Sequence, residues 1–347
     1  MNFRVDRWSA AALRSCVLAV TAASSLLLAS CGGGNGNENQ SVKFSAQRLF
    51  VYGDESSLLL PPSTPTALDA RKYSTIGFTA NTTPANSVRD CLVNPIWVQY
   101  VAFKYGLVFA ECNPNGAAVT AQMRATYGAK VADVVAALDA FFAAGGSLGK
   151  RDLVTVMVGT HDILELYGSV STGALTEAAA LAEAKRRGEL LAVQIDRLTN
   201  KSNTAGRAIY VPVPDLSESP FGIGVEAGRT ERVRLLKVVS ESFNNALRAK
   251  VTNNGRSIGL LNAFQRFRNI VRAVDDGDTP FDFVNATQAA CTTALPDCTT
   301  LTLQPANGTT EAANEFTWVW ADDLRLGAGA HDVLGRDAID LLDTLPF

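Results

Sequence analysis

Histidine is almost missing from this chain: His161 and His331 are the only two in 347 residues. There are six cysteines but no Cys-x-x-Cys, so the ligand spacings of a zinc or dithiol site are absent. Neither sign of charge dominates. Lysine and arginine total 31 against 34 aspartates and glutamates, a net charge of −3, and no basic stripe offers a track for a phosphate backbone. Nucleic acid is therefore not an expected partner, and nothing in the pattern calls for a cofactor or a metal. There is no internal repeat and no sign of a second domain.

What the chain does have begins with an address. Arg4, Arg7 and Arg14 make a basic start. Residues 17–28 form an apolar run too short to span a bilayer comfortably, and small residues close it. This is the layout of a secretory signal over residues 1–30. Its end, Leu28-Ala29-Ser30-Cys31, resembles a bacterial lipobox, which implies that Cys31 carries lipid and becomes the new N-terminus. Gly32 rather than aspartate follows, and by resemblance to Gram-negative lipoproteins that favours the outer membrane of a bacterial envelope. Residues 31–46 read as a flexible tether, rich in Gly and Asn and unable to bury a core. Several acyl chains hold a protein on a membrane where one does not.

Removing the three arginines and one aspartate of the first thirty residues takes the net charge to −5. Residues 47–347 are enough for one large domain with a substantial core. Cys16 lies in the signal and Cys31 is the lipid site. That leaves Cys91, Cys112, Cys291 and Cys298, an even number for an oxidising compartment. Three connectivities exist on paper. Pairing Cys91 with Cys112 and Cys291 with Cys298 orders the least chain.

The stretch from Leu49 to Tyr52 is a short apolar β-run ending in Gly53-Asp54-Glu55-Ser56-Ser57. Further strands are expected at 107–110, 152–158, 208–213 and 257–262, and a hairpin around 72–78. The run from Leu153 to Val158 is apolar almost throughout, as in parallel strands buried on both faces. Helices are expected at 97–105, 131–144, 174–199, 229–251, from 263 through Arg272, and at 330–342. Strands alternating with helices imply an α/β, doubly wound parallel sheet of about five strands. Residues 60–94 and 275–317 read as loops that bear the cysteine staples.

With its elements placed, the chain resembles the GDSL, or SGNH, ester hydrolases from Arg48 onward. The resemblance implies a flavodoxin-like three-layer sandwich, a serine nucleophile, a histidine base oriented by an aspartate, and an oxyanion site built from a glycine amide and an asparagine. Gly53-Asp54-Glu55 matches the family's first turn. Gly128 in Tyr127-Gly128-Ala129-Lys130 resembles its glycine block. Gly159-Thr160-His161-Asp162 matches the turn after the central strand, and Asp322-Asp323-Leu324-Arg325 matches the C-terminal Asp-x-x-His. Residues 282–291 resemble the segment before that last block.

Three departures outweigh the matches. Glu55 stands where the nucleophile belongs, His161 where the oxyanion asparagine belongs, and Arg325 where the base belongs. Arginine stays protonated at any ordinary pH and cannot accept a proton. Serine and histidine touch in a working member of the family. Glutamate and arginine put opposite charges at the same contact, so a Glu55–Arg325–Asp322 network with His161 beside it is expected. The competing expectation keeps ester hydrolysis, of lipid esters or sugar O-acetyl groups, through Ser56 one residue on and His331 as base. Against it, Ser56 and Ser57 also read as helix caps and His331 as a packed core residue. A silent copy of the pocket implies binding or scaffolding, with a glycan, an acyl ester or an envelope protein as ligand.

Metabolic labelling with palmitate tests the anchor: the wild-type chain is expected to take up label, and Cys31→Ala to lose it completely.

Overall fold

The computed structural model describes residues 44–79, 87–199, 205–226, 228–252, 255–307 and 310–345. The expected signal, Cys31 and most of the tether lie outside the described residues. In chain order the strands are β1 (Arg48–Gly53), β2 (Gly77–Phe78), β3 (Arg89–Asp90), β4 (Ala121–Met123), β5 (Asp152–Met157), β6 (Arg207–Val211), β7 (Ile258–Leu260), β8 (Asn285–Ala289) and β9 (Trp318–Trp320). The helices are α1 (Trp97–Lys104), α2 (Val131–Ala143), α3 (Thr160–Ser171), α4 (Glu177–Thr199), α5 (Thr230–Lys250), α6 (Ala263–Asp275) and α7 (Ala328–Thr344).

Side chains alternate along a strand, so each strand feeds two cores. Leu49 and Val51 of β1 point to one face with Leu153, Met157, Ile209 and Val211, and α1, α6 and α7 cover that face. Phe50 and Tyr52 point to the other with Val154, Val156, Ala208 and Tyr210, beneath α2, α3, α4 and α5. Every residue of β5 is buried, as its near-continuous apolar run predicts. The result is a three-layer α/β sandwich.

The main sheet has the order β4-β1-β5-β6-β7, and all four pairings are parallel. Counting only these strands in chain order gives 2-1-3-4-5, the doubly wound order in which β1 and β5 flank the switch point. Ligand sites in such sheets lie outside the carboxyl ends of the strands at that point. The turns after Gly53 and after Met157 therefore meet where function is expected.

The structure departs from the sequence expectations in four places. Residues 275–317 are not loop throughout: they contain β8, which pairs in parallel with β9 apart from the main sheet. Residues 107–110 do not form a strand of the sheet. Phe109 makes a single bridge to Ala121, the chain turns through a short 3-10 helix at Ala110–Cys112, and the edge strand is β4. The expected 72–78 hairpin is replaced by two separate contacts: Lys72 bridges Leu59, and β2 pairs with β3. Helix α3 was not expected. Its buried residues Ile163, Leu166 and Tyr167 have helical spacing, but the polar turn at its start and the glycine at 168 hide it. The cysteines pair as Cys91–Cys112 and Cys291–Cys298.

Gly53 marks where the site begins. Its φ is +148°, and a Cβ there would lie 2.0 Å from the Met157 carbonyl oxygen. Only glycine combines that conformation with so close an approach between adjacent strands. Gly53→Ala is expected to destabilise the fold by at least about 2 kcal/mol in a denaturant titration.

Candidate functional site

The turn after β1 is built on Asp54. Its carboxylate accepts the Ser56 N–H at 3.0 Å and caps the 3-10 turn Glu55–Ser57. The Asp54 N–H itself bonds to the Met157 carbonyl at 3.0 Å, which ties the turn to the end of β5. The turn aims Glu55 across the switch point, where it is only 2% exposed.

Both carboxylate oxygens of Glu55 are fully engaged. Oε1 accepts from Arg325 Nη2 at 2.7 Å, Arg325 Nε at 3.0 Å and His161 Nε2 at 2.8 Å. Oε2 accepts from the Gly128 N–H at 3.0 Å and from the same His161 Nε2 at 2.9 Å. An ionised carboxylate only accepts, so the Glu55 contact assigns the His161 proton to Nε2. Arg325 Nη1 reaches Asp322 Oδ2 at 3.0 Å, and Asp322 Oδ1 accepts the backbone N–H groups of Leu324 and Arg325. The structure thus brings Glu55, Gly128, His161, Arg325 and Asp322 into one network.

Burial works to raise the Glu55 carboxyl. The His161 hydrogen bond, the Gly128 N–H and the charges of His161 and Arg325 outweigh it and hold Glu55 at about 2. The Glu55 hydrogen bond raises His161, against burial. Burial lowers Arg325, but the charges of Asp322 and Glu55 more than reverse it. Asp54 behaves in the opposite way. Burial, reinforced by the Glu55 charge, pushes it up to about 7, and its Oδ2 finds no hydrogen-bond partner.

This arrangement leaves no nucleophile paired with a base. Glu55 is held too acidic to accept a proton near neutral pH, and Arg325 cannot accept one. The Gly128 amide, which the family resemblance assigns to the oxyanion, already donates to Glu55. Among the described residues, no group of three or more His, Cys, Asp and Glu side chains could hold a metal ion.

The alternative pairing of Ser56 with His331 does not form. His331 sits on α7, 1% exposed. Its Nδ1 faces the Trp97 N–H at 3.4 Å, and its Nε2 has no partner. Burial, with the Lys72 charge nearby, pushes it down to about 3, so it is a neutral core imidazole. Ser57 is likewise committed, accepting the Trp97 indole N–H at 3.1 Å. Asp162, next to His161, accepts the Val131 N–H at the start of α2 and an Arg187 N–H, and so positions the helix after Gly128.

Two residues at the mouth of the site were not singled out from sequence. Tyr127, 60% exposed, stacks on Tyr73 at 5.1 Å, meets the His161 ring edge-on at 6.1 Å and has the Arg325 guanidinium 5.9 Å from its ring centre. Its place directly before Gly128 was the available signal. Tyr73 lies in a loop with no local pattern to mark it.

No protein-family model and no curated protein matches the sequence. Among solved structures, the chain is similar to a member of the lipolytic protein G-D-S-L family from Veillonella parvula DSM 2008. That match has 11% identity and a TM-score of 0.41 over 86% of this chain and 100% of the other. It is also similar to the acetylxylan esterase Axe2 of Geobacillus stearothermophilus, with 13% identity and a TM-score of 0.40 over 88% and 97%. A third is an extracellular lipase from Streptomyces rimosus, with 12% identity and a TM-score of 0.39 over 85% and 100%.

Asp54 sets the sign of one pH test. Its carboxyl rises from 3.8 to about 7 on folding, so its contribution to stability is complete below pH 3.8 and is lost as pH rises through about 7. Asp54→Asn keeps the cap without the charge. Relative to wild type, the variant is expected to gain roughly 3 kcal/mol between pH 4 and pH 8, read from paired unfolding curves.

Proposed function

We propose that this chain is an envelope lipoprotein with an SGNH-hydrolase-like domain that has given up ester hydrolysis and serves as a binding or scaffold protein. The observation that carries the reading is the position of the Glu55 carboxylate. It stands in the turn where the family resemblance places a nucleophile, and it takes the hydrogen bond of the glycine amide that would stabilise an oxyanion. Arg325 and His161 close around the same carboxylate. A site filled by its own side chain has no room for a tetrahedral intermediate.

The pairing also explains the three departures as one set. A glutamate beside a neutral base would leave a buried charge without a partner, which costs several kcal/mol. An arginine beside a serine would leave the complementary charge exposed to the same penalty. Together they neutralise each other, and Asp322 keeps the orienting role toward Arg325 that the family aspartate has toward its histidine. What remains for a ligand is the rim: the outer face of Tyr127, with Tyr73, His161 and Asp322 around it. Glycans, acyl esters and envelope proteins all present surfaces that such a rim can meet. Residence on the outer membrane follows from the lipobox reading and belongs to the same proposal.

The purified protein is expected to show no turnover of a short-chain chromogenic ester above buffer. Loss of a measurable wild-type activity in Ser56→Ala would overturn the reading. The triple reversion Glu55→Ser, His161→Asn and Arg325→His is expected to create activity, because backbone and aspartate are already in place. Glu55→Ala alone is expected to destabilise the fold by about 2–4 kcal/mol, since it leaves Arg325 half-paired.

A further inference from the structure

At the other end of the sheet lies an apolar groove that the charged site does not use. It has a volume of about 290 Å³, and Leu92, Phe103, Gly106, Leu107, Phe109 and Pro114 line it. Two of these are large and exposed: Leu92 at 42% and Phe103 at 48%. The loop beside it continues the apolar surface. Ala117, Ala118 and Val119 are all exposed, and Glu111 is the single charged residue between positions 106 and 120. Burial raises the Glu111 carboxyl above its ordinary value. The Cys91–Cys112 disulfide clamps the rim, since Leu92 follows one cysteine and the other lines the groove.

The course of the chain points to what covers this face. Phe44, the first described residue, packs edge-on against Tyr105 at 5.8 Å, and Tyr105 directly precedes the groove residue Gly106. Cys31 lies thirteen residues earlier. A flexible coil of that length spans about 20 Å root-mean-square. The residues between, Gly32 to Lys43, are almost all polar or glycine and are poor occupants of an apolar groove. A lipid anchor on Cys31 instead holds the groove within reach of a bilayer at high effective concentration, where a small apolar contact suffices.

We propose that the face formed by Leu92, Phe103 and the 106–119 loop docks on the lipid bilayer to which Cys31 is tethered. The choice of occupant rests on the Cys31 anchor in the functional reading above. No basic residue lies in the 106–119 loop, so the contact is apolar insertion and not attraction to anionic headgroups. The loop leads into the start of β4, where the Thr120 carbonyl accepts the Leu49 N–H, so the face lies toward the amino ends of the strands. The Glu55–Arg325 site is at their carboxyl ends. The six residues of β1 separate the two levels by roughly 20 Å. Docking therefore turns the charged site away from the membrane.

The test uses the purified, processed protein on vesicles of phosphatidylethanolamine and phosphatidylglycerol that contain brominated acyl chains. Phe103→Trp places a reporter on the face, and Val193→Trp, at an exposed position of α4 in the opposite helical layer, serves as control. After subtraction of the parent signal, Trp at 103 is expected to be quenched several-fold more than Trp at 193, unchanged in 0.5 M salt. Leu92→Asp on the same reporter removes most of that quenching while the melting temperature holds. Equal quenching at the two positions, none at either, or quenching lost in salt overturns the proposal. So does concentration-dependent dimerisation abolished by Leu92→Asp without quenching, which gives the groove to a second copy. Palmitate labelling of Cys31 is read separately: label without quenching sinks the docking face alone, and quenching without label sinks the anchor alone.

Discussion

The Glu55 carboxylate, buried at the switch point with both oxygens hydrogen-bonded, holds the rim of this sheet together. It joins four chain segments that are far apart in sequence: the turn after β1, the loop before α2, the first turn of α3 and the loop after β9. A buried carboxylate is tolerable only when paired and hydrogen-bonded, so these loops must sit where their donors can reach it. Arg325 supplies two N–H groups in a fork that lysine could not reproduce. The geometry of the rim is in this sense a consequence of satisfying one anion.

Polar groups buried on the α1–α7 side of the turn are handled differently. Lys72 is fully buried and is pushed down to about 7 by that burial, its amine bonded to the carbonyls of Cys91 and Val93. His331, close enough to feel the Lys72 charge, stays neutral. Trp97 links this layer to the turn, with its indole N–H on Ser57 and its backbone N–H toward His331. Charge is concentrated on one side of the turn and suppressed on the other. That division separates a site able to meet solvent from a core that only supports it.

The sheet was readable because its strands are apolar on both faces and its helices are long and amphipathic. Gly53-Asp54 and Gly159 ended strands where a doubly wound fold needs turns, and the family resemblance that put Glu55 and Arg325 at touching positions, together with their opposite charges, anticipated their contact. The edge strand was not readable. Residues 121–123 are too short and too polar to signal themselves, while the apolar run at 107–110 competes with them and is diverted by the disulfide-bound turn. Helix α3 was obscured by the turn chemistry at its start. The stacked pair of Tyr73 and Tyr127 depends on two loops meeting in space, which no local pattern encodes.

The closed bonding around Glu55 also bears on how such a sequence can change over generations. Exchanging Glu55 alone leaves the Arg325 guanidinium with Asp322 as its one remaining carboxylate partner, and exchanging Arg325 alone takes the full-time cation from a carboxylate that is 2% exposed. Either first step lowers stability before any second step can compensate, so selection for a folded protein opposes both routes. The network therefore works as a ratchet. Once three complementary charges have locked together, drift is free to alter the rim around them but not to undo them one at a time.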